Sequence, residues 1–197
     1  MKVAIVDYNA GNVKSVVFAL ERMGIRPIIT SKHDEILNSD KVIFPGQGEA
    51  SSTMKSLKKH GLDKLLPTLK QPLLGICIGM QMMCTHSEEG NTDCLNIFPI
   101  NVVKFRPSNK IDKVPQMGWN NIGKLKTKLF DRVSEDSFVY FVHSYFVEYH
   151  PLYTAAICDY TLPYSAALQK DNFFATQFHP EKSGAIGEQI LKNFIAI

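Results

Sequence analysis

The sequence predicts an open, twisted α/β sheet, mostly parallel in its first half and extended by antiparallel strands in its second. Three observations point there. Short apolar runs alternate with helical stretches as far as His86, the pattern of parallel βαβ units with right-handed crossovers. Beyond residue 99 the runs become short strands separated by turn signals, which favours antiparallel pairing. No Pro/Gly/Ser-rich linker divides the halves, so one domain over residues 1–197 is expected.

Val3–Val6 (VAIV) is a β-branched apolar run of the length of a buried strand. Asn12 is placed to cap a helix reaching Met23, with Val13, Val16, Val17, Leu20 and Met23 on one side and Gly24 at its end. Residues 26–30 (RPIIT) read as the second strand and 34–37 as a helical turn. Lys41–Phe44 (KVIF) reads as the third strand, leading into the loop PGQGEA. Residues 51–60 and 62–70 read as helices broken at Gly61, 72–76 as a fourth strand, and 79–86 as a helix. The later strands are expected at 100–105, 114–117, 138–142, 154–158, 165–169 and 173–178, closed by a helix over 184–195. In open α/β sheets ligands bind at the carboxyl ends of the strands. Asp7, residues 45–49 and Cys77 all follow expected strand ends, so they share one rim.

Composition narrows the function classes. With 197 residues, 45% hydrophobic and 21% charged, the chain can bury a sizeable core and is not a disordered polymer. A net charge of +3 does not point to nucleic acid. The cysteines, Cys77, Cys84, Cys94 and Cys158, form no C-x-x-C pair, so neither a zinc ribbon nor a disulfide scaffold is expected, and no metal or cofactor. The apolar stretch behind Lys2 is too short for a secretion signal, and no run approaches the ~20 apolar residues of a membrane span. A reducing, cytoplasmic setting without membrane contact is expected.

The densest chemical signal is Gly75-Ile76-Cys77-Ile78-Gly79-Met80-Gln81, where a strand ends, a cysteine follows and a helix begins. Small residues two before and two after a nucleophile are what a strained strand-to-helix elbow requires. A cysteine there meets the positive end of the helix dipole and free backbone N–H groups, which favour thiolate, and the N–H of Ile78 is placed to donate to an oxyanion. A buried cysteine packed between glycines would also fit the motif. The second signal is Phe178-His179-Pro180-Glu181-Lys182. Of six histidines, only His179 has a carboxylate two residues on across a rigid proline. Positions i and i+2 of an extended segment share a side, so Glu181 can orient the imidazole as the third member of a Cys–His–acid triad. Alone, that stretch reads first as a surface loop with a satisfied histidine; with the elbow, each motif supplies what the other lacks. The third signal, Pro45-Gly46-Gln47-Gly48-Glu49, can turn backbone N–H groups toward an oxyanion or be an ordinary turn. It lacks the Lys-Ser/Thr of a P-loop and the length of a dinucleotide fingerprint, so nucleotide binding there is rejected.

GICIGMQ, PGQGEA and FHPEKSG together resemble the class I (triad) glutamine amidotransferases over essentially the whole chain. Within that superfamily the opening DYNAGN, the segment KVPQMGWN and the segment FVHSY resemble one branch, the glutaminase subunits of imidazole glycerol phosphate synthase from histidine biosynthesis. The resemblance implies a flavodoxin-like fold. It implies that Cys77 attacks the side-chain amide of glutamine, that His179 moves the proton and that Glu181 holds His179. It implies that Gly46, Gln47 and Gly48 form the oxyanion strand, and that Gln81, Ser144 and Tyr145 hold the amino-acid end of the substrate. The branch commonly carries a small apolar residue where this chain has Gln47. The implied partner is a (β/α)8 cyclase subunit that receives the ammonia, forming a heterodimer. Asn12, Trp119, Asn120, Tyr140 and Lys182 match interface positions.

Trp119 is the one tryptophan, and an exposed Trp is a good interface anchor, although a core aromatic is the ordinary use. The eight Lys/Arg between Lys104 and Arg132 read first as a solvated basic face and second as steering toward an acidic partner. Competing readings are the glutaminase of an anthranilate or guanylate synthase, a stand-alone cysteine amidohydrolase, and an inert binding module on the same fold.

Overall fold

The apolar runs Val3–Val6, Lys41–Phe44 and Leu73–Ile76 form parallel strands covered on both faces. In the computed structural model, which describes residues 1–9, 13–108 and 112–197, the first half runs β1 (Val3–Val6), α1 (Val13–Arg22), β2 (Ile28–Thr30), α2 (His33–Leu37), β3 (Lys41–Phe44), α3 (Ala50–Lys59), α4 (Leu62–Leu65), β4 (Leu73–Ile76) and α5 (Ile78–Met82). The second half adds β5 (His86–Ser87), β6 (Thr92–Asp93), β7 (Asn101–Lys104), β8 (Gln116–Ile122), β9 (Ser137–His143), β10 (Tyr145–Val147), β11 (Thr154–Asp159), β12 (Pro163–Lys170), β13 (Phe173–Thr176) and α6 (Gly184–Ala196).

The strands β2-β1-β3-β4-β13 lie side by side and all parallel. That order is the flavodoxin-like arrangement of a doubly wound sheet. From β13 the sheet continues through antiparallel β12, β10 and β7 to the short β5 and β6, with β11 flanking β12. β8 and β9 pair separately as an antiparallel ribbon. The core lies on both faces of the sheet. Val3, Ile5, Ile43, Leu74 and Ile76 point to one side, where they meet α1 and α6. Val6, Val42, Phe44 and Leu73 point to the other, against α3, α4 and α5. Each fully buried side chain of this size contributes about 1.5–3 kcal/mol.

Several expectations shift. The helix expected over 62–70 gives way after Leu65 to a 3-10 turn at Leu66–Thr68, since Pro67 brings no N–H. The helix expected over 79–86 ends at Met82, because His86 and Ser87 pair with Asn101 and Val102 on one side and with Asp93 and Thr92 on the other. The strand expected at 114–117 runs instead over Gln116–Ile122, beyond Pro115, in unbroken register with β9. The last strand, expected among the antiparallel additions, lies in the middle of the sheet, parallel to β4. The Asn12 cap lies outside the described residues; α1 is described from Val13. Among the described residues no helix is long and apolar enough to cross a membrane.

This topology positions the site. β4 lies between β3 and β13, with Phe44 opposite Gly75 and Thr176 opposite Ile76. The loop after β3, the elbow after β4 and the segment after β13 therefore emerge together at one rim.

Candidate active site

Cys77 is the first residue past β4 and precedes α5 directly. Its N–H donates to the Thr176 carbonyl at 2.7 Å, and its backbone sits at φ 54°, ψ −110°. Positive φ strains any residue with a Cβ, and such strain collects at functional sites. The turn closes because its neighbours lack side chains. A Cβ on Gly79 would overlap the Phe44 carbonyl oxygen, and one on Gly46 would overlap Ile78 and the Tyr8 hydroxyl. Residues 45–48 are thus drawn against the elbow, with the Tyr8 hydroxyl donating to the Pro45 carbonyl at 2.7 Å. Glu49 ends the loop by accepting from the N–H groups of Ser51 and Ser52 at 2.9 Å each, which caps α3 and holds its own carboxyl below the usual range.

The third segment carries His179 and Glu181. Their side chains are 2% and 3% exposed, and His179 Nδ1 lies 2.8 Å from Glu181 Oε1. Backbone contacts hold this turn from both sides. The His179 N–H donates to the Tyr140 carbonyl at 2.9 Å, and Ser183 Oγ donates to the His179 carbonyl at 2.6 Å. Nδ1 faces the carboxylate, which leaves Nε2, with Cys77 as its neighbour, as the atom for chemistry. His179 and Cys77 both line a cleft of about 400 Å³.

Two imidazoles border this cleft in opposite states. Burial alone lowers the basicity of His179, but the charge of the Cys77 sulfur and the hydrogen bonds to Cys77 and Glu181, with the carboxylate's charge, outweigh it and raise the pKa to about 10. Burial pushes His143 down to about 4; its bond to the Tyr145 carbonyl opposes this, and the charge of His179 adds to it. At neutral pH His179 holds a proton it can deliver, whereas His143 is neutral and serves as a fixed donor through Nδ1, 2.8 Å from the Tyr145 carbonyl.

Of the residues named from sequence, Gln47, Gly48, Cys77, Ile78, Gln81, Ser144, Tyr145 and His179 line this one cleft. Gly46 and Glu181 stand behind it, in a small void shared with Gln47 and His179. The cleft also takes in Glu89, Pro115, Val142 and His143, which the sequence did not single out. Glu89 accepts from the Ala50 N–H at 2.9 Å, and burial raises its pKa. Its carboxylate is the acidic group of the cleft lining.

The ribbon of β8 and β9 shows one apolar side to solvent. Trp119 is 56% exposed, opposite Tyr140 in register with ring centroids 6.1 Å apart, and Met117 and Phe138 are exposed alongside. Lys182 is half-buried on the turn that holds Glu181. The strand pleat turns Asn120 away from Trp119, and its Nδ2 donates to the Asp159 carbonyl at 2.9 Å. Asn12 lies outside the described residues.

A sheet of flavodoxin-like order carries a cysteine elbow and a buried His–Glu pair at one rim. The family profile "Glutamine amidotransferase class-I" matches residues 4–197. A crystal structure of a glutamine amidotransferase superposes with TM-score 0.75 at 16% identity, covering 98% of this chain and 97% of that one, which bears on the fold alone. The chain is 58% identical to imidazole glycerol phosphate synthase subunit HisH of Bacteroides thetaiotaomicron, over 99% of both chains. It is 56% identical to the same subunit of Bacteroides fragilis, over 100% of both. The chain belongs to the class-I glutamine amidotransferase family and, within it, to the HisH subunits of imidazole glycerol phosphate synthase.

Proposed function

We propose that this subunit hydrolyses glutamine through Cys77, His179 and Glu181 and passes the ammonia to a (β/α)8 cyclase subunit. The cyclase uses it to form imidazole glycerol phosphate and aminoimidazole carboxamide ribotide. The observation that carries the reading is a buried His–Glu pair whose histidine lines the same cleft as the Cys77 elbow.

Cys77 Sγ, as thiolate, attacks the carboxamide carbon. Negative charge develops on the amide oxygen, where the N–H of Ile78 and the backbone of Gly46, Gln47 and Gly48 receive it. The C–N bond breaks as His179 Nε2–H gives its proton to the departing nitrogen, which leaves as ammonia. Water then attacks the γ-glutamyl thioester while neutral His179 takes its proton. The C–S bond breaks, the electron pair returns to sulfur, and glutamate departs. Glu181 keeps the imidazole oriented and stabilises its charge. Ser144, Tyr145 and Gln81 hold the amino-acid end of the substrate, and the carboxylate of Glu89 receives its ammonium group.

A glutamine-analogue alkylator is expected to label Cys77 once per chain, with glutamine protecting. Labelling elsewhere with Cys77 untouched would overturn the reading. The oxyanion loop packs on the elbow without being part of it, so its alignment can depend on the partner. Glutamate release is expected to rise about tenfold or more when the cyclase and its ligand are added, a population shift of about 1.4 kcal/mol. Equal rates with and without the partner would remove this coupling. The cyclase docks on the Trp119–Tyr140 side of the ribbon, next to the Lys182 turn. Trp119→Ala is expected to weaken the complex by about 2 kcal/mol, roughly 30-fold in Kd, as read by titration with the cyclase. An unchanged Kd would place the interface elsewhere.

A further inference from the structure

The sulfur of Cys77 has a hydrogen-bond donor that the mechanism above leaves unused. Gln177 follows β13 directly and is fully buried. Its Nε2 lies 3.7 Å from Cys77 Sγ. The other end of its amide, Oε1, lies 3.0 Å from Gln81 Nε2. Gln81 Nε2 in turn lies 2.8 Å from the Tyr145 carbonyl oxygen.

The polarity of this chain follows from its last member. A backbone carbonyl can only accept, so the Gln81 atom facing it is the NH2 group. The second hydrogen of that NH2 reaches Gln177, so the Gln177 atom there is the oxygen. The NH2 of Gln177 is then the end that faces sulfur. One carbonyl thereby orients two amides and aims an N–H at the nucleophile. The Gln177 backbone is held as well, its N–H donating to the Ala166 carbonyl at 2.8 Å.

We propose that Gln177 is a catalytic residue of this glutaminase: its amide N–H holds the Cys77 thiolate, and its amide oxygen ties that hold through Gln81 to the Tyr145 wall of the substrate cleft. The inference rests on Cys77 being the nucleophile and deepens that reading. An N–H bond to an anion is stronger than one to a neutral sulfur, so the donor favours the thiolate over the thiol. The other groups near the sulfur cannot replace it. His179, after β13, gives up its proton during the reaction. Tyr8, after β1, and Tyr164, on β12, feel the Cys77 charge, but burial keeps both phenols neutral. His143, at the end of β9, is neutral. Gln177 does not titrate, so it serves the sulfur twice: in the attack on the amide, and when the electron pair returns to sulfur as the thioester breaks.

The test compares wild type, Gln177→Met and Gln177→Glu in the complex with the cyclase. It follows alkylation of Cys77 by iodoacetamide against pH, located by mass spectrometry, and glutamine turnover. Methionine keeps the length and removes the donor. Glutamate is isosteric, keeps an acceptor for Gln81 and sets an anion against the sulfur. Gln177→Met is expected to move the alkylation profile about one pH unit to the alkaline side and lower kcat about tenfold, while ammonium-driven synthesis keeps its rate. Gln177→Glu is expected to move it further. It decides alone if the methionine variant does not assemble. A purely structural role would alter KM or ammonium-driven synthesis and leave the profile in place. Wild-type profiles in variants that retain ammonium-driven synthesis would overturn the inference. Full glutaminase activity in wild type after Cys77 is alkylated would overturn the nucleophile reading instead, so the two failures are distinct.

Discussion

Cys77→Ala loses glutamine-driven synthesis by about 10⁴-fold or more and keeps synthesis from added ammonium salts at the wild-type rate. The first effect follows from the proposed mechanism, in which Cys77 forms the covalent intermediate and the rest of the triad is idle without its nucleophile. The second follows from the proposed delivery of ammonia to a separate cyclase subunit, which ammonia supplied from solution reaches without passing the cleft that Cys77 lines. Loss of both activities in an intact complex would contradict delivery to a separate acceptor. Retained glutamine-driven synthesis would contradict the nucleophile. The elbow adds a stability arm to the same experiment. Alanine keeps a Cβ at φ 54°, so the strain stays; glycine relieves it. The relief is about 1–3 kcal/mol, and the greater freedom of unfolded glycine offsets about 0.5–1 kcal/mol. Cys77→Gly is therefore expected to melt a few degrees above Cys77→Ala, at about 2–4 °C per kcal/mol, and to be equally inactive. The reverse order in thermal melts would show that the elbow stores no strain.

The elbow and the His179–Glu181 pair were legible in the sequence because each is local. Two glycines around Cys77, and a carboxylate two residues beyond a histidine, state their geometry within a few positions. Glu89, His143 and Gln177 were not legible, because what places them in the site is strand adjacency. Gln177 meets Cys77 only because β13 inserts next to β4, and the run at 173–178 looks the same whether its neighbours are parallel or antiparallel. His143 stands at the β9–β10 corner, and β10 has only three residues, too few to show a period. Register was decisive for the partner side. Trp119 and Asn120 are adjacent in sequence, yet the pleat of β8 sends one to solvent and the other to the Asp159 carbonyl. β1, β3 and β4 were read well for a related reason: strands buried on both faces are continuous apolar runs, whereas β8, with one face solvated, carries polar Asn120 and Asn121 and shows its strand character only through its pairing.

Gly187→Ala is expected to damage the triad from the far side of the turn that carries it. Gly187 is buried on α6, where a Cβ would overlap the Pro180 carbonyl oxygen and stand 2.7 Å from its carbonyl carbon and 2.8 Å from Ser183 Cβ. Pro180 lies between His179 and Glu181, and Ser183 Oγ both donates to the His179 carbonyl and accepts from the Tyr140 N–H at 3.0 Å. A methyl group there pushes on backbone at two points flanking the carboxylate. Helix propensity favours alanine over glycine by about 1 kcal/mol, but overpacking against backbone costs about 1–3 kcal/mol or more, so the balance is destabilising. A loss of about 1–2 kcal/mol lowers Tm by roughly 2–8 °C. Glutamine turnover falls further than stability alone would bring it, by about 10²-fold, because a shift near 1 Å in the orienting carboxylate is enough. Gly184→Ala is the control. Gly184 has open space around it and φ +57, so alanine there costs about 1–2 kcal/mol in backbone strain and pushes on nothing. Both variants should melt lower by similar amounts, and only Gly187→Ala should lose glutaminase while ammonium-driven synthesis persists in each. Equal turnover in the two would mean that the packing of α6 against this turn does not set the His179–Glu181 geometry.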